Sequence, residues 1–454
     1  MPVCFLRSRR DRVLRGINQR AIVRKLGISP HAEKRKVAPF TIREIYSNST
    51  PRIIVIKDFL LLLGNTFRVS FARTSRKHIP YFHRVKMKIT EIYIYPIKSL
   101  APLSVPRTRL RREGVEHDRR FMLLKVNADG TYKNIQIVHV PECALFHQRL
   151  DGDEIVVTYH VPSPPIFTPE VPEQSTALRV PLSPKLEDRA VVDVSICGSS
   201  APAYRMGDPY DSWFTACFGY EVILVYIGDH SRDVLAHKPG EHYLWRQHQP
   251  RPKGGWLSGI SAYIPGGAGT GNVMPDKGSD QLVFNEIAPF LVTSKASLRD
   301  VSRRLPEGED MDMRRFRPNI VVDGNPQDPG EGGEEEGSLA AWEEDYWAEL
   351  CVVRSTGEEH RLALTANCGR CLSINIDYDT GRPSQGEPGI VLKKLMADRR
   401  VDEGNKYSPI FGRYGFLAPG GSQGTNNGVE IAVGDHIHVT KRLDYRDSWA
   451  WPKY

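Results

Sequence analysis

Two cysteines with an arginine between them form the stretch whose residue types and spacing most directly suggest chemistry: Asn367-Cys368-Gly369-Arg370-Cys371. The residues that follow alternate, with Leu372, Ile374 and Ile376 set against Ser373, Asn375 and Asp377, and this predicts a strand over residues 371–377 with one apolar face. Cys371 shares the parity of the polar set. It should therefore turn away from the apolar layer, where a merely structural cysteine normally buries. Such a thiol is a candidate ligand or nucleophile. A structural zinc site needs four ligands, yet there is no second cysteine pair, and His436 and His438 read as exposed positions on a late strand. A thioredoxin-type pair precedes a helix, whereas this one precedes a strand pattern. The best remaining use of Cys371 is as a thiolate ligand to a soft metal, a form that the adjacent Arg370 cation favours.

Lys98, Arg119 and Arg317 stand beside predicted strand ends, and each alone reads as surface charge. Together with a thiolate they suit an anionic, phosphate-bearing metal cofactor, because Arg offers phosphate a bidentate fork and Lys a compact point charge. The run Gly266-Gly267-Ala268-Gly269-Thr270-Gly271 is not a nucleotide loop. No Gly-Lys-Ser/Thr follows it and no helix pattern opens after it, so it reads as a flexible loop.

The elements that must position these residues begin after an unusual N-terminal segment. Residues 1–86 hold 20 Lys and Arg against 4 Asp and Glu, so the net charge of +8 belongs to this segment and the rest of the chain is net acidic. An Arg-rich, acid-poor start resembles a mitochondrial transit composition; the alternative is a non-native extension ahead of a protein that begins at Met87. Nucleic-acid binding would require basic and aromatic residues interleaved in a folded module, and none is evident. Seven scattered cysteines suit a reducing compartment. The longest apolar run, residues 53–63, is broken by Lys57-Asp58 and is too short to span a bilayer.

From residue 87 the pattern is one of short strands between Gly/Pro turns with few helices, an α+β, β-dominated fold with a barrel-rich second half. Strands are expected around residues 88–95, 121–126, 222–227, 281–284, 290–292, 351–353, 361–364 and 434–439. Short helices are expected at residues 211–219 and after a cap at Thr293 or Ser294. Residues 231–280 read as an irregular connection, and the acidic, Gly-rich residues 324–340 as a solvated insert.

The pieces Ile94-Tyr95-Pro96-Ile97-Lys98-Ser99, His117-Asp118-Arg119, Phe316-Arg317-Pro318-Asn319, Asn367-Cys368-Gly369-Arg370-Cys371, Ser408-Pro409-Ile410-Phe411-Gly412 and Gly434-Asp435 resemble, in this order, the MOSC-domain family of the amidoxime-reducing type. The resemblance implies a MOSC N-terminal β-barrel-like domain over 87–230 and a MOSC β-barrel domain over 281–442. It further implies a molybdenum-molybdopterin cofactor whose metal takes one protein thiolate, matched to Cys371 as metal ligand and catalytic residue. By the same match Lys98, Ser99, Arg119 and Arg317 hold the pterin and its phosphate, Gly369 and Arg370 flank the metal, and Tyr414 lines the site. Ile287 and Ala288 supply main-chain contacts, since they lack the family's hydroxyl side chains. The implied activity is reduction of N-hydroxylated compounds such as amidoximes and hydroxylamines, with electrons from a b-type cytochrome and its NADH-dependent flavin reductase. The alternatives are a non-catalytic cofactor carrier, a sulfur-transfer relative, and a β-barrel interaction protein with a structural cysteine.

Overall fold

A computed structural model describes residues 87–167, 169, 171–239, 280–324, 339–418 and 428–448. The N-terminal basic segment, the Gly266–Gly271 run and the acidic residues of the 324–340 insert lie outside the described residues.

Seven strands close into a barrel. Around its wall the order is Ile320–Gly324, Phe290–Ser294, Ile410–Leu417, Glu359–Gly369, Trp347–Val353, His436–Arg442 and Met87–Ile94, and this last strand pairs back onto Ile320–Gly324. Closure leaves no barrel edge to pair with another chain. Six of the seven pairings are antiparallel. The exception, Phe290–Ser294 beside Ile320–Gly324, is parallel and needs a crossover, supplied in part by the helix Lys295–Ser302. Ser294 caps that helix as expected: its hydroxyl accepts from the Ser297 amide at 3.1 Å. The first strand of the described chain is therefore a barrel stave, paired through Met87 to Ile437 and through Ile92 to Ile320.

Residues between that first strand and the barrel's later strands build a second body. An antiparallel sheet runs in the order Val191–Ile196, Ser199–Arg205, Val222–Tyr226, Phe121–Val126 and Tyr132–Asn134, and a smaller one comprises Phe146–Asp151, Glu154–Tyr159 and Ala177–Pro181. The expected helix spans Tyr210–Phe218 and stops at Gly219, whose φ of 71° is the left-handed C-cap conformation. Its Phe214 and Phe218 pack on Phe146, with the Phe218 and Phe146 rings 4.6 Å apart.

Two expected strands are not formed. Residues 281–284 make only one bridge, Leu282 to Arg232. The cysteine stretch is not a strand over 371–377: the barrel strand Glu359–Gly369 ends before it, Leu372–Asn375 is a 3-10 turn, and only Ile376–Asp377 is extended. Period-two alternation fails there because the turn leaves Leu372 61% exposed while Ser373, Ile374 and Asn375 are all buried. The physical cause is a change of partner. Ile374 packs with Phe316 and Phe411 beside the barrel, whereas Ile376 and Tyr378 belong to the core of the second body with Ile97, Leu100 and Phe121. The chain crosses from one core to the other within four residues.

A buried polar network holds the barrel strand that leads into this crossing. Arg413, fully buried, donates to the Leu364 and Asp345 carbonyls, to Asn367 Oδ1 at 2.8 Å and to Asp447 Oδ2 at 3.0 Å. Asn367 passes its own donors to Asp402 and to the Asp447 carbonyl. Arg413→Met leaves a buried carboxylate and a buried amide oxygen without this donor, and should lower the unfolding free energy by about 3–5 kcal/mol in urea titration. A loss below about 1 kcal/mol would contradict this account.

Glu344 gives a pH prediction. It is fully buried, accepts from the Ser294 hydroxyl at 3.0 Å, and is pushed up to about 7 by burial, aided by the Asp345 charge and opposed by the Ser297 and Ser294 hydroxyls. A carboxyl whose folded pKa lies above its unfolded value binds more protons when folded, so stability falls as pH rises from about 4.5 to about 7. Glu344→Gln should remove this slope, gaining up to about 3 kcal/mol over the wild type above pH 7 and nothing at pH 4. Parallel stability profiles for the two proteins would refute the assignment.

Candidate functional site

The turns between the barrel and the second body surround a cavity of about 360 Å³, within the ordinary size range of small-molecule sites. Lys98, Ser99, Arg119, Ala288, Arg317, Gly369, Arg370, Cys371 and Tyr414 all line it. Ile287 does not. It is fully buried, and its carbonyl accepts from the Leu235 and Ala236 amides.

Three of these residues adopt a backbone conformation that side-chain-bearing residues avoid. Ser99, Arg119 and Arg317 have φ values of 76°, 50° and 53°, a left-handed geometry that costs roughly 1 kcal/mol or more per residue and concentrates at functional sites. The surroundings enforce it. The Arg119 amide bonds the Tyr95 carbonyl at 2.9 Å, and Arg317 ends the 3-10 turn Met313–Phe316 by donating to Arg314 at 3.0 Å. The Ser99 hydroxyl donates to the Ile135 carbonyl at 2.9 Å.

Both arginines stand over the ring of Tyr95, with the Arg119 and Arg317 guanidinium carbons 4.4 and 4.3 Å from its centroid. Both cations meet the negative ring face. Burial raises the Tyr95 phenol above its usual value, so it stays protonated and donates to the Pro318 carbonyl at 3.1 Å. Asp118 accepts from Arg119, from the Tyr95 amide at 2.7 Å and from Asn319 at 3.2 Å. Arg317 donates to the Leu100 carbonyl and the Tyr378 hydroxyl; burial works against its charge, but Tyr378 and Tyr95 outweigh that and hold it protonated.

On another part of the wall Lys98, only 3% exposed, donates to Glu286 Oε1 at 2.6 Å and to the Phe284 carbonyl at 2.9 Å. Burial lowers its pKa, and Glu286 opposes that. Burial would raise the Glu286 carboxyl, but Lys98, the Cys197 thiol and Arg119 prevail and hold it at about 2.

The two cysteines have separate environments. Register shifts between Asn367 and Gly369 against the neighbouring strand, an irregularity of the kind that re-aims side chains beside active sites. Cys368 is buried, and Arg370 Nη1 donates to its Sγ at 2.8 Å while Nη2 donates to the Phe316 carbonyl. Arg370 thus directs a donor to Cys368 and not, as its place in sequence suggests, to Cys371. Burial and Cys368 raise the Tyr414 phenol well above its usual value. Cys371 is the exposed thiol, 3.3 Å from the Ser373 hydroxyl, at the start of the 3-10 turn. The Arg370 amide donates to the Pro409 carbonyl at 2.8 Å and pins this corner to the Ser408–Gly412 stretch. Gly412 is required there, since a Cβ would lie 2.8 Å from the Val292 carbonyl at a φ of 82°.

Strand parity thus points to the exposed thiol for a geometric reason that does not hold. Cys371 is exposed because the barrel strand has ended. Glu286, Asn319 and the 136–138 segment also line the cavity; Asn319 is legible inside the Phe316–Asn319 motif, while Glu286 has no sequence signal beyond its place beside Ile287. Among the described residues no group of three or more His, Cys, Asp or Glu could hold a metal ion, so with these residues alone a metal on Cys371 would take its further ligands from a bound group. The wall fits such a group. It carries an exposed thiol, cations on several sides and a buried Arg370 Nε without a hydrogen-bond partner.

Asn319, 1% exposed, joins Asp118 to the main chain of Leu291, and removing its side chain strips a donor from a buried carboxylate. Asn319→Ala should cost about 1–3 kcal/mol in urea unfolding, and a neutral result would show that Arg119 and Tyr95 suffice for Asp118.

Residues 279–438 match the MOSC domain family, and residues 86–221 match the MOSC N-terminal beta barrel domain. The human protein named mitochondrial amidoxime-reducing component 1 is 24% identical over 77% of this chain and 82% of its own length. The rat mitochondrial amidoxime reducing component 2 is 24% identical over the same shares. Human molybdenum cofactor sulfurase is 23% identical over 69% of this chain and 29% of its own length. A strand-built barrel, a second β body and both domain matches in one chain give one conclusion: the protein belongs to the MOSC-domain family, in a two-part form similar to the amidoxime-reducing components.

Proposed function

We propose that this protein binds a molybdenum-molybdopterin cofactor in the cavity and reduces N-hydroxylated compounds. The observation that carries the reading is the convergence on one cavity of the exposed Cys371 thiol with Lys98, Arg119, Arg317 and Arg370. Cys371 is the residue that would ligate the metal, in the thiolate form that metals bind. Arg119 and Arg317 present guanidinium groups to the pterin phosphate, Lys98 adds a point charge, and Ser99 and Gly369 bring main chain and a small side chain to the wall. Ala288 contributes main chain alone. The Tyr414 phenol, kept protonated by burial, stands as a neutral donor.

When bound, the cofactor supplies two-electron redox chemistry and an acceptor for the substrate oxygen. The overall reaction is R–NHOH + 2e⁻ + 2H⁺ → R–NH₂ + H₂O. The chain's part is to anchor, orient and present the exposed face beside Cys371, which Leu372 borders as an exposed apolar residue. Electrons are proposed to come from a b-type cytochrome and its NADH-dependent flavin reductase. The relatives' names are mitochondrial, and the basic N-terminal composition supports the same address here. Among the described residues no helix is long and apolar enough to cross a membrane.

The test is expression in a host that makes the cofactor, followed by molybdenum analysis and benzamidoxime reduction with a reconstituted cytochrome chain. Wild-type protein should hold stoichiometric metal and turn over. Cys371→Ser should lose more than about 100-fold in metal affinity, beyond the 10–100-fold typical of a supporting residue, and lose activity with it. Full occupancy in Cys371→Ser means that another residue is the ligand. Stoichiometric molybdenum without turnover assigns the protein to cofactor carriage or sulfur transfer, and absence of molybdenum ends both readings.

A further inference from the structure

Glu286 stands on the cavity wall with both carboxylate oxygens engaged, Oε1 by Lys98 at 2.6 Å and Oε2 by the Cys197 thiol at 3.3 Å. The chain invests in holding it there. Cys197, at a φ of 52°, turns the hairpin between Val191–Ile196 and Ser199–Arg205. Arg232, fully buried, donates to the Ile196 and Ser199 carbonyls on one side and to the Val283 and Asn285 carbonyls on the other, with distances of 2.7–3.0 Å. One guanidinium thus clamps the hairpin to the segment that carries Glu286. A lysine ammonium has three N–H donors. Lys98 gives one to the Phe284 carbonyl and one to Glu286, and among the described residues the third has no acceptor, although Lys98 lines the cavity.

We infer that Glu286 is a positioning residue: it holds the Lys98 ammonium charged and oriented so that its remaining N–H serves the anionic group bound in the cavity. The inference rests on the reading above that Lys98 contacts the cofactor. A carboxylate beside an anion site is at first sight counterproductive, because it repels the anion it borders. The burial of Lys98 resolves this. An ammonium taken out of water loses its proton unless an anion compensates, and Lys98 is pushed down by burial, with Arg119 and Arg232 adding like charge and Glu286 opposing. The groups facing Glu286 itself are Lys98, Cys197 and Arg119, with Tyr414 nearby. Among the described residues Glu286 is the carboxylate paired with Lys98. Without that carboxylate Lys98 becomes neutral at lower pH, and a neutral amine cannot hold phosphate by charge.

A lysine is charged below its pKa, so removing Glu286 leaves cofactor retention intact at low pH and lost as pH rises. Holoprotein of the wild type, Glu286→Gln and Glu286→Ala is dialysed at about pH 6.5 and about pH 9, and retained molybdenum and pterin are measured. The wild type should retain the same amount at both. Each variant should match it at the lower pH and release cofactor at least about tenfold faster at the higher, a ratio that corresponds to a tenfold fall in the charged fraction of Lys98 at that pH. In the cofactor-free proteins, amine-directed reductive methylation of Lys98 at about pH 8 should be faster in the variants, as the neutral fraction grows. Lys98→Met tests the underlying reading: it should retain little cofactor at either pH, and full retention would remove Lys98 from the site altogether. Variants that behave as wild type at both pH values, or that lose cofactor equally at both, overturn the positioning role while leaving the Lys98 contact standing.

Discussion

The architecture of the site depends on a carboxylate with no access to water. Asp118 accepts from the Tyr95 amide, the Arg119 guanidinium and the Asn319 side chain, and each donor comes from a different turn. A buried charge left without partners is strongly destabilising, so the three turns are obliged to meet at this point. Asn319 extends the constraint by exchanging hydrogen bonds with both the amide and the carbonyl of Leu291 in the barrel wall. The left-handed backbone at Arg119 and Arg317 is thereby over-determined. Strain at those positions is offset by the pairing of Asp118, and both guanidiniums are brought over the Tyr95 ring.

Charge around the cavity is not balanced by these contacts. Lys98, Arg119, Arg317 and Arg370 line it, while the carboxylates in direct contact with them are Glu286 on Lys98 and Asp118 on Arg119. Arg317 and Arg370 direct their donors to carbonyls, a phenol and a thiol. Held close together in a medium of low polarity, like charges repel more strongly than they would in water. An anionic ligand relieves that repulsion and binds the more tightly for it, which is the electrostatic case for a phosphate-bearing group. Cation–π contacts at Tyr95 and at Phe316 disperse part of the charge meanwhile.

How much of this was legible in the residues varies by position. The barrel strands were readable where one face is buried, as along Met87–Ile94, and so was the Ser294 cap. The crossing after Cys371 was not. Alternating hydrophobicity implies a strand only when one core faces the segment throughout, and here Ile374 and Ile376 enter two different cores. Cys371, Lys98, Ser99, Arg119 and Arg317 were legible through motif order, and they do share a cavity. Ile287, read with Ala288 as a main-chain contact, is not among the lining residues, and its carbonyl is taken by the Leu235 and Ala236 amides. Glu286 was illegible because its importance comes from Lys98, almost two hundred residues away in sequence, and no local period encodes such a pair.

The two bodies exchange segments, and this sets how the site can move. Met87–Ile94 leads into the second body but is a stave of the barrel, closing it between His436–Arg442 and Ile320–Gly324. Ile376 and Tyr378 leave the barrel and complete the core of the second body. Lys98 and Ser99 follow the first exchange within a few residues, and Cys371 precedes the second by a similar distance. A hinge between the bodies would have to pull a strand from a closed barrel or two side chains from a packed core, each a cost of several kcal/mol. The cavity walls are therefore set by the fold before any ligand arrives. The thiol and the cations line one preformed cavity, so binding need not order them, and little of the interaction energy is lost to reorganisation.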